Sequence, residues 1–210
     1  MPAPVKSRRY DGSRRRAAAD ARRARVLEAA DRLMRRDGYH ATTVAAIAAA
    51  SGVSPETIYK SLGGKPGLVR ALFEKALEGA GPVPAETRSD ALRNTDPTTL
   101  VTGWARLATE VAPRGLPVLA LVRAAAASDP EMRELYDELE AGRLRRMRDN
   151  ARALAALGGV RDGITVEEAG DVLFTVSSAE MYELLVMRRG WSIERWSTFV
   201  RDTITHAILP

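Results

Sequence analysis

Apolar residues in this chain recur at three- and four-residue steps rather than alternating, and glycine and proline interrupt the pattern at intervals. From about Asp20, Val26, Leu27, Ala30, Leu33 and Met34 fall on one side of a helix that Gly38 ends as a left-handed cap. Thr42 suits the start of a short second helix with Val44, Ile47 and Ala48 inside, and Gly52 stops it. Ser54 caps a third helix, with Pro55 in its first turn where no amide hydrogen is needed, and this helix runs to Gly63-Gly64. Lys65-Pro66 opens a fourth, with Leu68, Val69, Leu72, Phe73 and Leu77 on its inner side. Between the second and third helices, Ala48 allows close approach, Gly52 supplies the positive-φ turn and Ile58 locks the later helix down. That spacing predicts a helix-turn-helix, whose second helix can project into a DNA major groove.

Residues 79–97 are rich in Gly, Pro and polar groups and read as a connection. Beyond it, helices are expected at 98–111, 116–127 and 131–157, the last with an inner stripe of Met132, Tyr136, Leu139, Met147 and Leu154. The final helix, 193–208, carries Trp196, Phe199, Val200, Ile204 and Ala207 on one side. The helix before it, 166–188, is apolar in nearly every direction from Met181 to Met187. A helix of that kind is covered on more than one side, so helices 166–188 and 193–208 predict a two-fold homodimer with a four-helix interface. The expected fold is all-α, about nine helices. A flexible basic arm (1–19) precedes a helix-turn-helix domain (20–79) and a C-terminal helical domain (80–210).

Composition narrows the chemistry. There are no cysteines and only two histidines, His40 and His206, so neither a thiolate nor a histidine-based metal site is expected. No Gly-rich phosphate loop, metal-ligand cluster or nucleophilic triad is visible, so neither an enzyme nor a cofactor is expected. No secretory peptide is seen, and the longest apolar run, Leu116 to Val122, falls far short of the roughly 20 residues of a membrane span. A cytoplasmic protein follows. Residues 1–77 hold 16 Lys and Arg against 7 Asp and Glu, net +9, whereas residues 78–210 hold 16 against 20, net −4. A basic head on a mildly acidic body points to a polyanion partner for the head.

The stretch from Arg25 to Leu77 resembles the DNA-binding head of the tetracycline-repressor (TetR) family of bacterial transcription regulators. The resemblance is carried by Gly38-Tyr39, Thr42-Thr43-Val44, Ile47-Ala48, Ser51-Gly52-Val53-Ser54, Thr57-Ile58-Tyr59, Lys65 and Leu68. It implies DNA contacts at Thr43, Ser54, Glu56, Thr57, Tyr59, Lys60 and Lys65. Ser61 and Leu62 stand where the family usually has His and Phe; Ser61 can still donate to a phosphate, and Leu62 removes an aromatic packing element. Gly64 and Gly67 predict a looser entry to the fourth helix. Several roles stay open: Tyr59 packs beneath its helix or meets a phosphate, Lys60 meets a base or a phosphate, and Glu56 complements the helix dipole or accepts from a cytosine amino group.

The resemblance also implies an apolar effector cavity in the C-terminal domain. Trp104, Leu107, Val122, Tyr136, Phe174 and Met181 are candidates for its wall, with Arg123, Ser177 and Glu180 as polar selectors. The alternative for Arg123 and Glu180 is a pair with each other, since buried charges need partners. The function this implies is a repressor released from a palindromic double-stranded DNA operator by a small, mostly hydrophobic ligand. The alternative is a non-specific architectural DNA-binding protein.

Overall fold

The computed structural model describes residues 12–210, which are helical along most of their length. Contacts divide the chain into two compact units, one ending at Leu68 and one spanning Val69–Pro210.

The first unit is built from α1 (Gly12–Asp37), α2 (Val44–Ser51), α3 (Pro55–Leu62) and the start of α4 (Lys65–Glu78). Val26, Leu27, Ala30 and Met34 of α1 are buried with Ile47 and Ala48 of α2, Ile58 of α3 and Leu68. The expected boundary devices are present, except that the cap of α2 is shifted by one residue. Gly38 leaves α1 at φ 82°, and its carbonyl accepts from the Thr42 hydroxyl at 2.8 Å. Thr43, one residue after the expected cap, is the N-cap of α2 and accepts from the Ala46 amide. Gly52 (φ 70°) closes α2, and Ser54 caps α3 by accepting from the Thr57 amide.

Two features differ from expectation. The first helix begins at Gly12, not near Asp20, so the part of the expected arm from Gly12 to Ala19 is helical; the remainder, 1–11, lies outside the described residues. Alanine and arginine are strong helix formers and need no packing to propagate a helix already nucleated downstream. The second concerns Gly67, expected to loosen the entry to α4. A Cβ there would lie 1.5 Å from the Leu62 carbonyl oxygen, so Gly67 is where the end of α3 abuts α4. The junction is tight.

The second unit continues α4 from Val69 and adds α5 (Ala85–Ala91) with a 3-10 turn at Leu92–Asn94, α6 (Pro97–Ala125), α7 (Pro130–Ala156), α8 (Val166–Val176), α9 (Ala179–Tyr182) and α10 (Ile193–Ile208). A wider π turn, Glu183–Arg188, extends α9. Helices α7 and α8 pack together, α6 lies between α7 and α10, and Leu100, Leu119, Val122, Met132, Leu154, Trp196 and Ile208 form the core.

Three expectations are corrected here. The helices expected at 98–111 and 116–127 are one, because α6 runs through Pro113 and Pro117. An interior proline removes a ladder bond and costs ~3 kcal/mol, yet packing on α7 and α10 holds both halves in line, and the Arg114 guanidinium donates to the Glu110 carbonyl nearby. The helix expected at 166–188 breaks at Ser177-Ser178. Arg143 reaches from α7 to the Phe174 and Ser177 carbonyls, satisfying the end of α8, while Ser178 caps α9. The connection 79–97 contains α5, pinned where Arg88 meets Glu110 of α6 at 2.6 and 3.0 Å.

Candidate nucleic-acid interface and ligand cavity

Helix α3 is fixed by one fully buried residue, Ile58, and leaves most of its surface to solvent. Ser54, Glu56, Tyr59, Lys60 and Ser61 are exposed and Thr57 is half-buried. The Ser54 hydroxyl lies 3.2 Å from that of Thr57, so these two polar groups are set together at the start of the helix. Glu56 has its carboxyl held below the usual range by its own backbone amide first and the Ser54 hydroxyl second, the signature of an acid serving a helix N-terminus. Ser61 turns its hydroxyl back onto the Thr57 carbonyl at 2.6 Å instead of outward. Tyr59 is 59% exposed with its ring edge against Gly64, so it does not pack beneath its helix. Thr43 is exposed at the start of α2. Lys65 is half-buried, its Nζ 4.1 Å from the centroid of the Tyr39 ring, a cation–π contact that orients it. The sequence reading placed residues up to 19 in a flexible basic arm; from Ser13 to Arg25 the run is exposed helix, where Arg16, Arg22, Arg23 and Arg25 add to the positive charge of this unit.

The second unit encloses a cavity of about 510 Å³ bounded by α4, α6, α7, α8 and α10, with smaller contributions from α5 and Ser177. Of the nine candidate wall residues, Trp104, Leu107 and Ser177 line it; Val122, Arg123, Tyr136, Phe174, Glu180 and Met181 do not. Val122 is in the core. Arg123 bonds Glu180 and also Glu183, and burial pushes the Tyr136 hydroxyl up, with Glu140 and Glu180 adding to the effect. Phe174 lies under the Arg143 guanidinium, 4.2 Å from it. The break after Ser177 and the unbroken α6 change which sides of these helices meet. Wall residues missed in the sequence include Phe73 and Leu77 of α4 and Trp196, Val200 and Ile204 of α10. The periodic stripe of α10 had marked the last three as buried without saying against what.

The charges around the cavity are largely matched. Arg70 forms a two-pronged contact with Glu138, Arg146 meets Glu86 and Asp90 and donates to Ser89, and Arg143 pairs with Glu140. Three wall residues instead hold a buried polar atom with no partner: the indole Nε1 of Trp104, that of Trp196, and Oδ1 of Asn150. Leaving such an atom unpaired costs ~1–3 kcal/mol, so each is a point where a hydrogen-bonding group in the cavity would be favoured. Among the described residues no group of three His, Cys, Asp or Glu could hold a metal ion, and no helix is long and apolar enough to cross a membrane.

Residues 26–72 match the family model described as bacterial regulatory proteins, tetR family. The Bacillus subtilis (strain 168) protein YvkB, described as an uncharacterized HTH-type transcriptional regulator, is 36% identical over 70 residues, 33% of this chain and 37% of that protein. The match thus spans little more than a third of that relative's length. Among solved structures, NalD, the secondary repressor of the MexAB-OprM multidrug efflux pump in Pseudomonas aeruginosa, aligns with TM-score 0.72 at 15% identity, covering 92% of this chain and 98% of that one. A transcriptional regulator from Saccharomonospora viridis in complex with choline aligns with TM-score 0.67 at 22% identity, covering 91% and 99%.

Proposed function

We propose that this chain, whose residues 26–72 match the TetR-family model of bacterial regulatory proteins, is a DNA-binding transcriptional repressor released from a palindromic operator by a small, mostly hydrophobic ligand. The observation that carries this reading is α3. A short helix capped at both ends is anchored by Ile58 alone and turns Glu56, Tyr59 and Lys60 to solvent, within a head of net charge +9. An α-helix presented this way fits a major groove. Thr57 and Lys60 are the base readers, with Thr43, Ser54, Tyr59 and Lys65 on the backbone; Ser61, which would have to release the Thr57 carbonyl to donate to a phosphate, and Glu56, which serves the helix terminus, are the weakest candidates. Being unpaired with the duplex phosphates would leave the head's charge purposeless, and a cytoplasmic location places it with its DNA.

The homodimer joins through the last two helices, 166–188 and 193–208. Leu184 and Met187 are 50% and 56% exposed, and Leu185, Val186, Trp191 and Phe199 are half-buried around them, a surface whose covering stabilises association. Two heads then present two copies of α3 to half-sites about one helical turn, ~34–36 Å, apart or a multiple of it. The ligand occupies the cavity of about 510 Å³, within the range of small-molecule sites. Helix α4 is continuous from Lys65 to Glu78 and carries Phe73 and Leu77 in the cavity wall, so a ligand that displaces those residues acts on the helix that bears Lys65. The name of NalD, a repressor, supports the regulatory half of this reading, and the choline complex is a protein of this fold that holds a small molecule, though a cationic one.

Selection of bound sites from random DNA, followed by titration with the selected and a scrambled duplex, tests it. A specificity ratio of roughly 10³ or more on an inverted repeat is expected. Equal affinity for both duplexes would instead fit an architectural protein, and selected sites without an inverted repeat would contradict the dimer.

A further inference from the structure

Three of the four buried side-chain polar atoms that lack a partner among the described residues belong to the wall of one cavity. They also belong to the same end of it. The Ser197 hydroxyl donates to the Ala105 carbonyl at 2.7 Å, which joins α10 to α6 one residue along from Trp196 and Trp104 and so puts these two residues at one level of the bundle. Helices α6 and α7 pack against each other across a connection of four residues, 126–129, and so run antiparallel. Trp104 lies 21 residues before the end of α6 at Ala125, and Asn150 lies 20 residues after the start of α7 at Pro130, so the two stand at one level. Farther along, the wall holds Phe73, Leu77, Val111, Leu116 and Leu139, with Glu138 there bound to Arg70. The cavity therefore has an end with two N–H donors and one carbonyl acceptor lacking partners, and a remainder of apolar side chains and already paired charges.

We propose that this cavity takes a neutral, largely apolar molecule bearing one hydroxyl-type group, which accepts from the indole N–H of Trp104 or Trp196 and donates to the carboxamide oxygen of Asn150. The proposal rests on the reading of the cavity as the effector site and names the class of effector. A group that both accepts and donates is the smallest that satisfies the orphaned atoms of both kinds. A charged group is disfavoured because the cations and anions beside it are already committed. A carboxylate would have to draw Arg143 from Glu140 and from the Phe174 and Ser177 carbonyls, or Arg146 from Glu86 and Asp90. An ammonium would have to draw Glu138 from Arg70. Glu74 and Arg145, the remaining charged wall residues, are both exposed and opposite in sign. A bare hydrocarbon would fill the space but leave all three atoms unpaired.

The test uses full-length protein and two matched series: naphthalene, 2-naphthol and 2-naphthoate, and decane, 1-decanol and decanoate. Affinities are measured by competition against an environment-sensitive fluorophore and confirmed by calorimetry. On at least one skeleton the hydroxyl compound is expected to bind about tenfold or more tightly than both its hydrocarbon and its carboxylate, the gain of one buried polar group becoming paired. Asn150→Leu and Trp104→Phe should each erode that preference several-fold while leaving hydrocarbon binding in place. Three results would overturn the proposal: no member binding, the hydrocarbon equalling the hydroxyl compound, or the carboxylate winning. The wild-type series alone decides this, even if a variant fails to fold. Operator affinity, measured in parallel, separates the two readings. A hydroxyl compound that binds selectively but leaves operator affinity unchanged keeps the ligand class and overturns the effector role. A specific operator complex with no hydroxyl preference does the reverse.

Discussion

Lys60 and Lys65 lie five residues apart and are held in different ways. Lys60 stands exposed one helical step from Thr57, with no aromatic ring to hold it, whereas Lys65 is steered by the Tyr39 ring at the start of α4. Contacts to phosphates position a protein, and contacts to bases specify its site. Lys65→Ala should therefore weaken binding to every duplex alike and make the salt slope shallower by about one unit. Lys60→Ala should cost ~1–3 kcal/mol on the preferred site and relax the preference at one half-site position. Affinity against salt on specific and scrambled duplexes distinguishes them; an equal loss on both duplexes for Lys60→Ala would remove it from base readout. Gly67 makes a separate prediction. Because the Leu62 carbonyl occupies the space of its missing side chain, Gly67→Ala should cost ~1–3 kcal/mol by overpacking, read as a lowered Tm together with weaker operator binding. An unchanged Tm would mean that the α3–α4 junction yields freely. The sequence displays a glycine at 67 but not the carbonyl that faces it, which is why its role reads there as loosening.

At the scale of elements, α2, α3, α4, α7 and α10 were legible, whereas α5, the continuity of α6 and the break between α8 and α9 were not. Caps act through neighbours three or four residues away, so Gly38, Gly52, Ser54 and Ser192 announce helix ends in the sequence itself. The ends that misled depend on residues far away. Pro113 and Pro117 look like a break until α7 and α10 brace both halves of α6, and Ser177 looks like mid-helix until Arg143 arrives from α7 to satisfy the carbonyls. Cavity walls suffer the same way, since a small change in where a helix bends turns a different side inward. The segment before α5 is also held from afar. Hydrogen bonds from Arg88 first, and from the Ala80 amide second, lower the Glu110 carboxyl from 4.5 to about 2. A carboxyl depressed by folding contributes stability that is complete above its ordinary value and lost as pH falls through the folded one. Thermal unfolding should show Glu110→Gln less stable than wild type at neutral pH, with the gap closing between pH 4.5 and about 2. A gap that stays constant with pH would mean that the clamp does not depend on the Glu110 charge.

For the whole molecule, charge and surface apolarity divide the labour. The positive excess belongs to residues 1–77, and the exposed apolar residues Leu184 and Met187 belong to the opposite end of the sequence. The sequence made the second point readable because a helix that is apolar all round is covered on more than one side. It could not say which residues are covered internally; Tyr182 is, and forms an edge-to-face contact with Trp196. The double variant Leu184→Glu, Met187→Glu should sediment as a 22.8 kDa species at micromolar concentration, and the wild type at twice that mass. It should also lose operator affinity far more than it loses affinity for a single half-site. A wild type that sediments as the smaller species would sink the dimer outright.

The first turns of α1 carry one more consequence. From Ser13 to Arg25 every side chain is exposed before Val26 enters the core. A coil of that length would let its arginines search freely, but a helix gives them a phase and a reach of about 20 Å. Whatever polyanion they meet, they meet at set angles. Inserting one alanine after Ala19 would rotate Ser13–Ala19 by about 100°, while inserting seven would nearly restore the phase and lengthen the rod by about 10 Å. A tether would be indifferent to either change, whereas a rod is sensitive to the first through its bearing and to the second through its length.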